Sequence, residues 1–413
     1  MEQAALSRYL SPWAVLGSVI ARAVTATPPN VVLPPIVGAV GSLNTFIALV
    51  GPSGAGKDAA LTTAGDAVDF GYQIRKRGIG TGQGIMGQYA KIRKVPGQGD
   101  EPDTYVTVQV EDRLLVAISE IHGLKSSSQQ QGANILPVLA DAWSGSLLGG
   151  TYKDAKLDIE VEAHTYRLGV VAGVQPGEAE ILTRNDALGL PQRFVWVPAT
   201  DQRAAEGEAP EWPGTLEITL PDVGPPSGDL EEIARPGFRL GDRVEMTVCE
   251  AARQVVIADR RARQHPDFEG DPLDSHTLFC RLKIAGALAL MDTRLDISEE
   301  DWRLSGLIML RSSATRRSVF GHLSRKAKEA EAARRAEAVA TVVAVDVAKD
   351  EAAIAASTRR AISVLTKNPD GMTYNALRKG LGKTVYRDHL AEALARLEEA
   401  GTITVDDHWV KIV

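Results

Sequence analysis

The run Gly51-Pro52-Ser53-Gly54-Ala55-Gly56-Lys57-Asp58 carries the most specific chemistry in the chain. Glycines at 51, 54 and 56 allow a turn tight enough to aim successive amide N–H groups at phosphate oxygens, with the positive end of a following helix behind them. Lys57 adds a mobile point charge to the same oxygens. The apolar run Phe46-Ile47-Ala48-Leu49-Val50 reads as a buried strand that feeds the loop, and Asp58-Ala59-Ala60-Leu61 opens a helix behind it. The segment is therefore expected to bind a nucleoside triphosphate, ATP with Mg2+. Such loops place a Ser or Thr hydroxyl after the Lys to hold the metal, and here Asp58 occupies that position. A carboxylate can still ligate Mg2+, directly or through water, but it sets negative charge beside the phosphates.

Hydrolysis needs an acid to order the metal and polarise the attacking water. Arg113-Leu114-Leu115-Val116-Ala117-Ile118-Ser119-Glu120 is an apolar strand ending in a carboxylate, and its Glu120 is expected beside the loop's own strand, at the sheet edge where ligands of open α/β sheets bind. Glu120 would be the catalytic base, with Asp58 or Ser119 helping at the metal; the competing reading is a plain surface acid. A further strand, 166–174, ends in Gln175, whose amide would sense the γ-phosphate or simply cap the strand. Arg193 leads the run Phe194-Val195-Trp196-Val197 and is expected either as an arginine finger acting on a neighbouring subunit's nucleotide or as an ordinary salt-bridging residue.

Two glycine-rich loops carry cations suited to a phosphate chain: Arg75, Lys76 and Arg77 ahead of Gly78 to Gly84, and Lys153 and Lys156 in a second stretch. Each is expected either to contact single-stranded DNA or to be solvated surface. Near the C-terminus Lys383 and Arg387 stand at the start of a presumed recognition helix, which would meet DNA or a protein partner.

The elements that must position these residues follow from pattern. With 413 residues and 44% hydrophobic content the chain supports two or three domains. A net charge of −7 gives no global attraction for nucleic acid, so any such contact is local. Cys249 and Cys280 fit neither a metal-ligand spacing nor a disulfide framework. No basic n-region or membrane span is read, and a cytoplasmic protein is expected. Residues 1–30 read as a helical element, 31–243 as an α/β core with a parallel sheet, and 244–325 as helical, with helices over 278–291 and from 298 through Met309. The Ala, Glu, Lys and Arg run over 326–356 reads as a helical linker, and 357–413 as helix, short helix, a longer helix from Lys383 to Ala400 and a terminal hairpin, the order of a winged helix.

In this order the elements resemble the RecA-like P-loop helicase domains of phage, plasmid and integrated-element replication proteins. The resemblance rests on Ser11-Pro12-Trp13-Ala14-Val15-Leu16, Gly41-Ser42-Leu43-Asn44, the loop at 51–58, Gly80-Thr81-Gly82-Gln83-Gly84, Glu120, Gly173-Val174-Gln175-Pro176 and Gly189-Leu190-Pro191-Gln192-Arg193-Phe194, and covers about residues 1–320. The segment 275–312 also resembles a helicase lid, which leaves RecA-like and AAA+ assignments both open. The family implies ATP hydrolysis, a ring of subunits, often a hexamer, and translocation on single-stranded DNA. The chain shows no recognisable primase-polymerase module, and Asp58 and Ser119 depart from the usual metal-binding residues. An ATP-dependent DNA motor is the leading expectation; an ATP-switched initiator or helicase loader is the alternative.

Overall fold

The structure, a computed structural model, describes residues 1–78, 80–96, 103–121, 135–149, 159–183, 189–206, 208–223, 243–271 and 274–413. The expected contacts at Lys153 and Lys156 lie outside the described residues. The chain divides into two compact units, Met1–Ser324 and Arg325–Val413.

A five-stranded, all-parallel sheet organises the first unit. Its strands are β1 (Thr45–Val50), β2 (Lys76–Arg77), β3 (Arg113–Ile118), β4 (Arg167–Val174) and β5 (Phe194–Pro198), in the spatial order β5-β1-β4-β3-β2. Every residue of β1 and β4 is buried. Continuous apolar runs such as TFIALV are what a parallel strand needs when both of its faces are covered. The order corrects one expectation, because the Glu120 strand does not lie beside the loop's strand. β4 pairs with both, Leu49 opposite Gly173 on one side and Ile118 opposite Ala172 on the other.

Helices α1 (Glu2–Leu6), α2 (Pro12–Ala26), α3 (Lys57–Ala67), α4 (Gly82–Tyr89) and α5 (Ile135–Ser144) belong to this unit. So do α6 (Glu250–Arg263) and α7 (Thr277–Met291), so the segment expected as a lid shares a unit with the sheet. Pro12 opens α2 at a position whose N–H has no helical partner. α2 lies against the sheet at contact distance: a Cβ on Gly17 would come within 2.9 Å of Ile47, and one on Gly169 within 2.3 Å of Thr25 Oγ1. Basic residues 75–77 do not form a loop throughout, since Lys76 and Arg77 are the exposed edge strand β2, and Arg75 pairs with Glu111 at 2.9 Å. The glycines after them open α4, where the Thr81 hydroxyl accepts from Gly84 N–H.

Polar staples lock the amino-terminal edge of the sheet. Arg167 is fully buried, and its guanidinium donates to the carbonyls of Pro28 at 2.8 Å and Val31 at 2.6 Å and to Ser42 Oγ at 3.2 Å. Lys283 on α7, also buried, donates to the carbonyls of Asn44 at 2.7 Å and Trp143 at 2.6 Å, with its ammonium 3.6 Å from the Trp143 ring centroid. Asn44 completes the node through Oδ1, which accepts from Leu168 N–H, and Nδ2, which donates to Ala142 O. Burial pushes the Arg167 pKa down to about 9 and the Lys283 ammonium well below its usual value.

A further helix, α8 (Glu299–Leu365), starts as expected. Ser298 Oγ accepts from Asp301 N–H, and the Asp301 carboxylate accepts from Ser298 N–H, a reciprocal cap. It does not stop at Met309, and the 326–356 segment is helical within it. In the second unit the last turns of α8 pack with α9 (Tyr374–Gly380), α10 (Thr384–Asp388) and α11 (Leu390–Glu399) around Leu365, Leu377, Leu394 and Val410. The single helix expected from Lys383 to Ala400 is broken at His389 into α10 and α11. Strands Met372–Thr373, Trp409–Ile412 and Ile403–Asp406 make a small antiparallel sheet in that order. Among the described residues no helix is long and apolar enough to cross a membrane.

Replacing Arg167 by Leu leaves several buried acceptors without a donor, which costs on the order of 3 kcal/mol. Denaturant unfolding of Arg167→Leu should show that loss as a lower midpoint; an unchanged midpoint would mean that the staple contributes nothing.

Candidate functional site

At the carboxyl edge of the sheet four strand ends are stitched together before the glycine loop begins. Gly51 N–H donates to Val174 O at 3.0 Å, Ala199 N–H donates to Val50 O at 2.7 Å, and Ile121 N–H donates to Gly173 O at 2.8 Å. The ends of β5, β1, β4 and β3 therefore share one rim, and the loop 51–58 rises from its middle.

The loop has the backbone that its glycines predict. Gly54 and Gly56 adopt φ +78° and +73°, in the left-handed region that suits glycine. Gly56 caps α3, whose first residues are Lys57 and Asp58, so their amides stand where a helix has no internal acceptors. Pro52, Ser53, Gly54 and Asp58 are exposed, Ala55 and Gly56 are half-buried, and Gly51 and Lys57 are buried. The loop thus presents an exposed rim over a buried cation.

Lys57 makes the decisive contact. Its side chain is 7% exposed, and its Nζ lies 3.2 Å from Glu120 Oε1 while donating to the carbonyls of Pro52 at 2.9 Å and Gly51 at 3.2 Å. The other Glu120 oxygen, Oε2, is buried with no hydrogen-bond partner. Two residues 63 positions apart in sequence, with a whole strand between them in the sheet, meet head to head.

What allows this is an absent side chain. A Cβ on Gly173 would stand 2.1 Å from Ser119 O and 3.1 Å from Lys57 Cε. The Lys57 stem runs alongside β4, and Ser119 crowds the same place from the other side. Gly173 shapes the candidate site by what it lacks, and no pattern of charged residues points to it. The signal was there, since an isolated glycine inside a strand pattern marks the close approach of another group.

Gln175 follows Val174 on the same rim, half-buried, and opens the short 3-10 turn Pro176–Glu178. The structure thus brings together Lys57, Glu120, Gln175 and the loop 51–58. Arg193 is not among them. It precedes β5, whose Phe194 pairs with Phe46 at the far end of β1, so it sits at the sheet edge opposite the loop. There its guanidinium lies 5.4 Å from the Trp143 ring centroid, and burial lowers its pKa. Lys76 and Arg77 lie on the outermost strand, two strands from β4. In the second unit Lys383 is exposed at the start of α10 and Arg387 is half-buried on it. Among the described residues no group of three or more His, Cys, Asp or Glu side chains is placed to hold a metal ion by itself.

No family model matches the chain, and no curated protein matches its sequence.

Gly173→Ala should destabilise the unit by about 1 to 3 kcal/mol, because the added methyl group meets a backbone carbonyl that cannot swing away. Chemical denaturation measures this, and wild-type stability in the variant would show that the strand end has room to spare.

Proposed function

We propose that the chain is an ATP-dependent DNA motor, a mobile-element replicative helicase acting on single-stranded DNA as a ring. The observation that carries the nucleotide site is the 3.2 Å approach of Lys57 to Glu120 under a glycine loop at the carboxyl edge of a parallel sheet. A cation that can move to phosphate, an acid beside it and an amide on the same rim are the parts a triphosphate hydrolase needs. In this reading Lys57 leaves Glu120 for the phosphates, and Glu120 is then released to act on water. Mg2+ would suit this donor set as an ion shared with the substrate: it is commonly held by one or two carboxylates together with substrate phosphates. The Glu120 oxygen without a partner and the exposed Asp58 carboxylate would serve it. The metal would supply charge neutralisation, while Gln175 would report the γ-phosphate. Arg193, at the opposite edge, would act only on a neighbouring subunit's nucleotide.

The DNA-binding part of the reading has its support in the exposed cations Lys76 and Arg77 and in the second unit. There, two short helices followed by a longer one and a hairpin fit a winged helix, with Lys383 at the start of the short helix ahead of the longer one and Arg387 on it. The second reading, an ATP-switched initiator or loader that does not unwind, is favoured by Asp58 and Ser119, which stand where a hydroxyl and a second acid would speed turnover.

The test is ATP hydrolysis with and without single-stranded DNA. The motor reading expects stimulation by DNA, and loss of turnover on the order of 100-fold or more in Lys57→Ala, the size seen when a charge-stabilising group is removed. Glu120→Gln should bind ATP normally and turn over on the order of 100-fold or more slowly, as for loss of a general base. Nucleotide binding without DNA-stimulated turnover would leave the switch; absence of nucleotide binding would overturn both.

A further inference from the structure

Residues 8–11 are anchored in turn to the last turns of α3, to the glycine loop and to the end of β5. Arg8 donates to Asp66 at 2.6 Å and to Thr63 at 3.2 Å, both on α3, and its guanidinium lies 4.3 Å from the Trp212 ring centroid. Leu10 is buried against the loop, with its Cδ2 2.6 Å from where a Cβ of Gly56 would stand. Ser11 donates to the carbonyl of Pro198 at 2.8 Å, at the end of β5. Between these anchors stands Tyr9, 67% exposed. Its backbone adopts φ 55°, in the left-handed region that costs a side-chain-bearing residue energy and is usually left to glycine.

The chain thus holds an aromatic side chain in water, on a strained backbone, one residue before the leucine that packs on Gly56. Burial does not explain the residue, and neither does local propensity: the position closes α1, where glycine is favoured. Strain of this kind persists where the surroundings over-determine it, and an observed outlier is a fair starting point for a functional assignment. Trp212, also at the edge of α1 and α3, already gives its face to Arg8.

We propose that Tyr9 is the base platform of the nucleotide site: its ring stacks on the nucleobase of a triphosphate whose phosphates are held by the loop 51–58. The inference rests on the nucleotide reading above. Phosphates in the loop leave the base beyond the helix start, outside the sheet, where the loop rim and residues 8–11 form the wall. Stacking uses the π face that every base has, so the site takes nucleoside triphosphates generally and favours the larger purines. The anchors at Arg8, Leu10 and Ser11 make the platform rigid, so little ordering is needed when the base arrives.

The experiment measures binding of ATP and of inorganic tripolyphosphate to the full chain and to Tyr9→Gly and Tyr9→Phe. Glycine accepts φ 55° without strain, so Tyr9→Gly should melt no lower than the native chain, which separates loss of the ring from loss of the fold. Tyr9→Gly should bind ATP about 10-fold or more weakly, the scale of one lost base stack, while tripolyphosphate affinity is unchanged. Tyr9→Phe, which keeps the ring, should stay within about 2-fold of native, as stacking needs no hydroxyl. Native ATP affinity in Tyr9→Gly, or equal loss of ATP and tripolyphosphate, overturns the platform while leaving the nucleotide site standing. A native chain that binds neither ligand overturns the nucleotide reading and the platform with it.

Discussion

The Lys57 stem can run alongside β4 only because residue 173 has no side chain. That steric constraint joins the two halves of the candidate site, since β4 separates the strand that feeds the glycine loop from the strand that delivers Glu120. Any Cβ there would meet Ser119 O and the Lys57 stem together, and the cation and the carboxylate would lose their common ground. The rest of the rim serves this approach. Backbone hydrogen bonds from Gly51, Ile121 and Ala199 fix the heights of adjacent strand ends, so a lysine from one segment and a glutamate from another arrive at the same level.

The two edges of the sheet solve opposite problems with the same kind of group. At the amino-terminal edge the cations Arg167 and Lys283 are buried and satisfied by backbone carbonyls, with Asn44 as their shared node. Their donors are spoken for, and burial depresses the pKa of each, so the charge there serves architecture. At the carboxyl edge Lys57 is also buried, but its partners are a carboxylate and two carbonyls of a loop whose rim is open to water. A cation held by exchangeable partners next to solvent can change them for an incoming anion. This difference separates the staples from Lys57, although all are buried and basic.

Much of this organisation was legible in the chain itself. The loop 51–58, the apolar runs of β1, β3, β4 and β5, the helix start at Ser298, and the helix and hairpin order of the second unit are short-range patterns, and short-range sterics and hydrogen bonding decide them. The helix break at His389 and the continuation of α8 past Met309 were not legible, because helix ends depend on packing and on caps that compete with one another. The reading of Arg75 to Arg77 as a loop failed for a related reason: two residues become an edge strand only when a neighbour such as β3 offers them a ladder.

The sequence by itself determined the chemistry available: a glycine loop with its lysine, a strand-end glutamate, a strand-end glutamine. Tertiary structure alone decided which of these meet. Strand order is set by how crossovers pack and leaves no trace in local periodicity, so the insertion of β4 between β1 and β3, the contact of Lys57 with Glu120 across Gly173, and the exile of Arg193 to the opposite edge emerge only when the sheet is assembled. The same holds for Tyr9, an ordinary tyrosine just past a short helix until Arg8, Leu10 and Ser11 are each pinned to a different element and leave its side chain exposed between them.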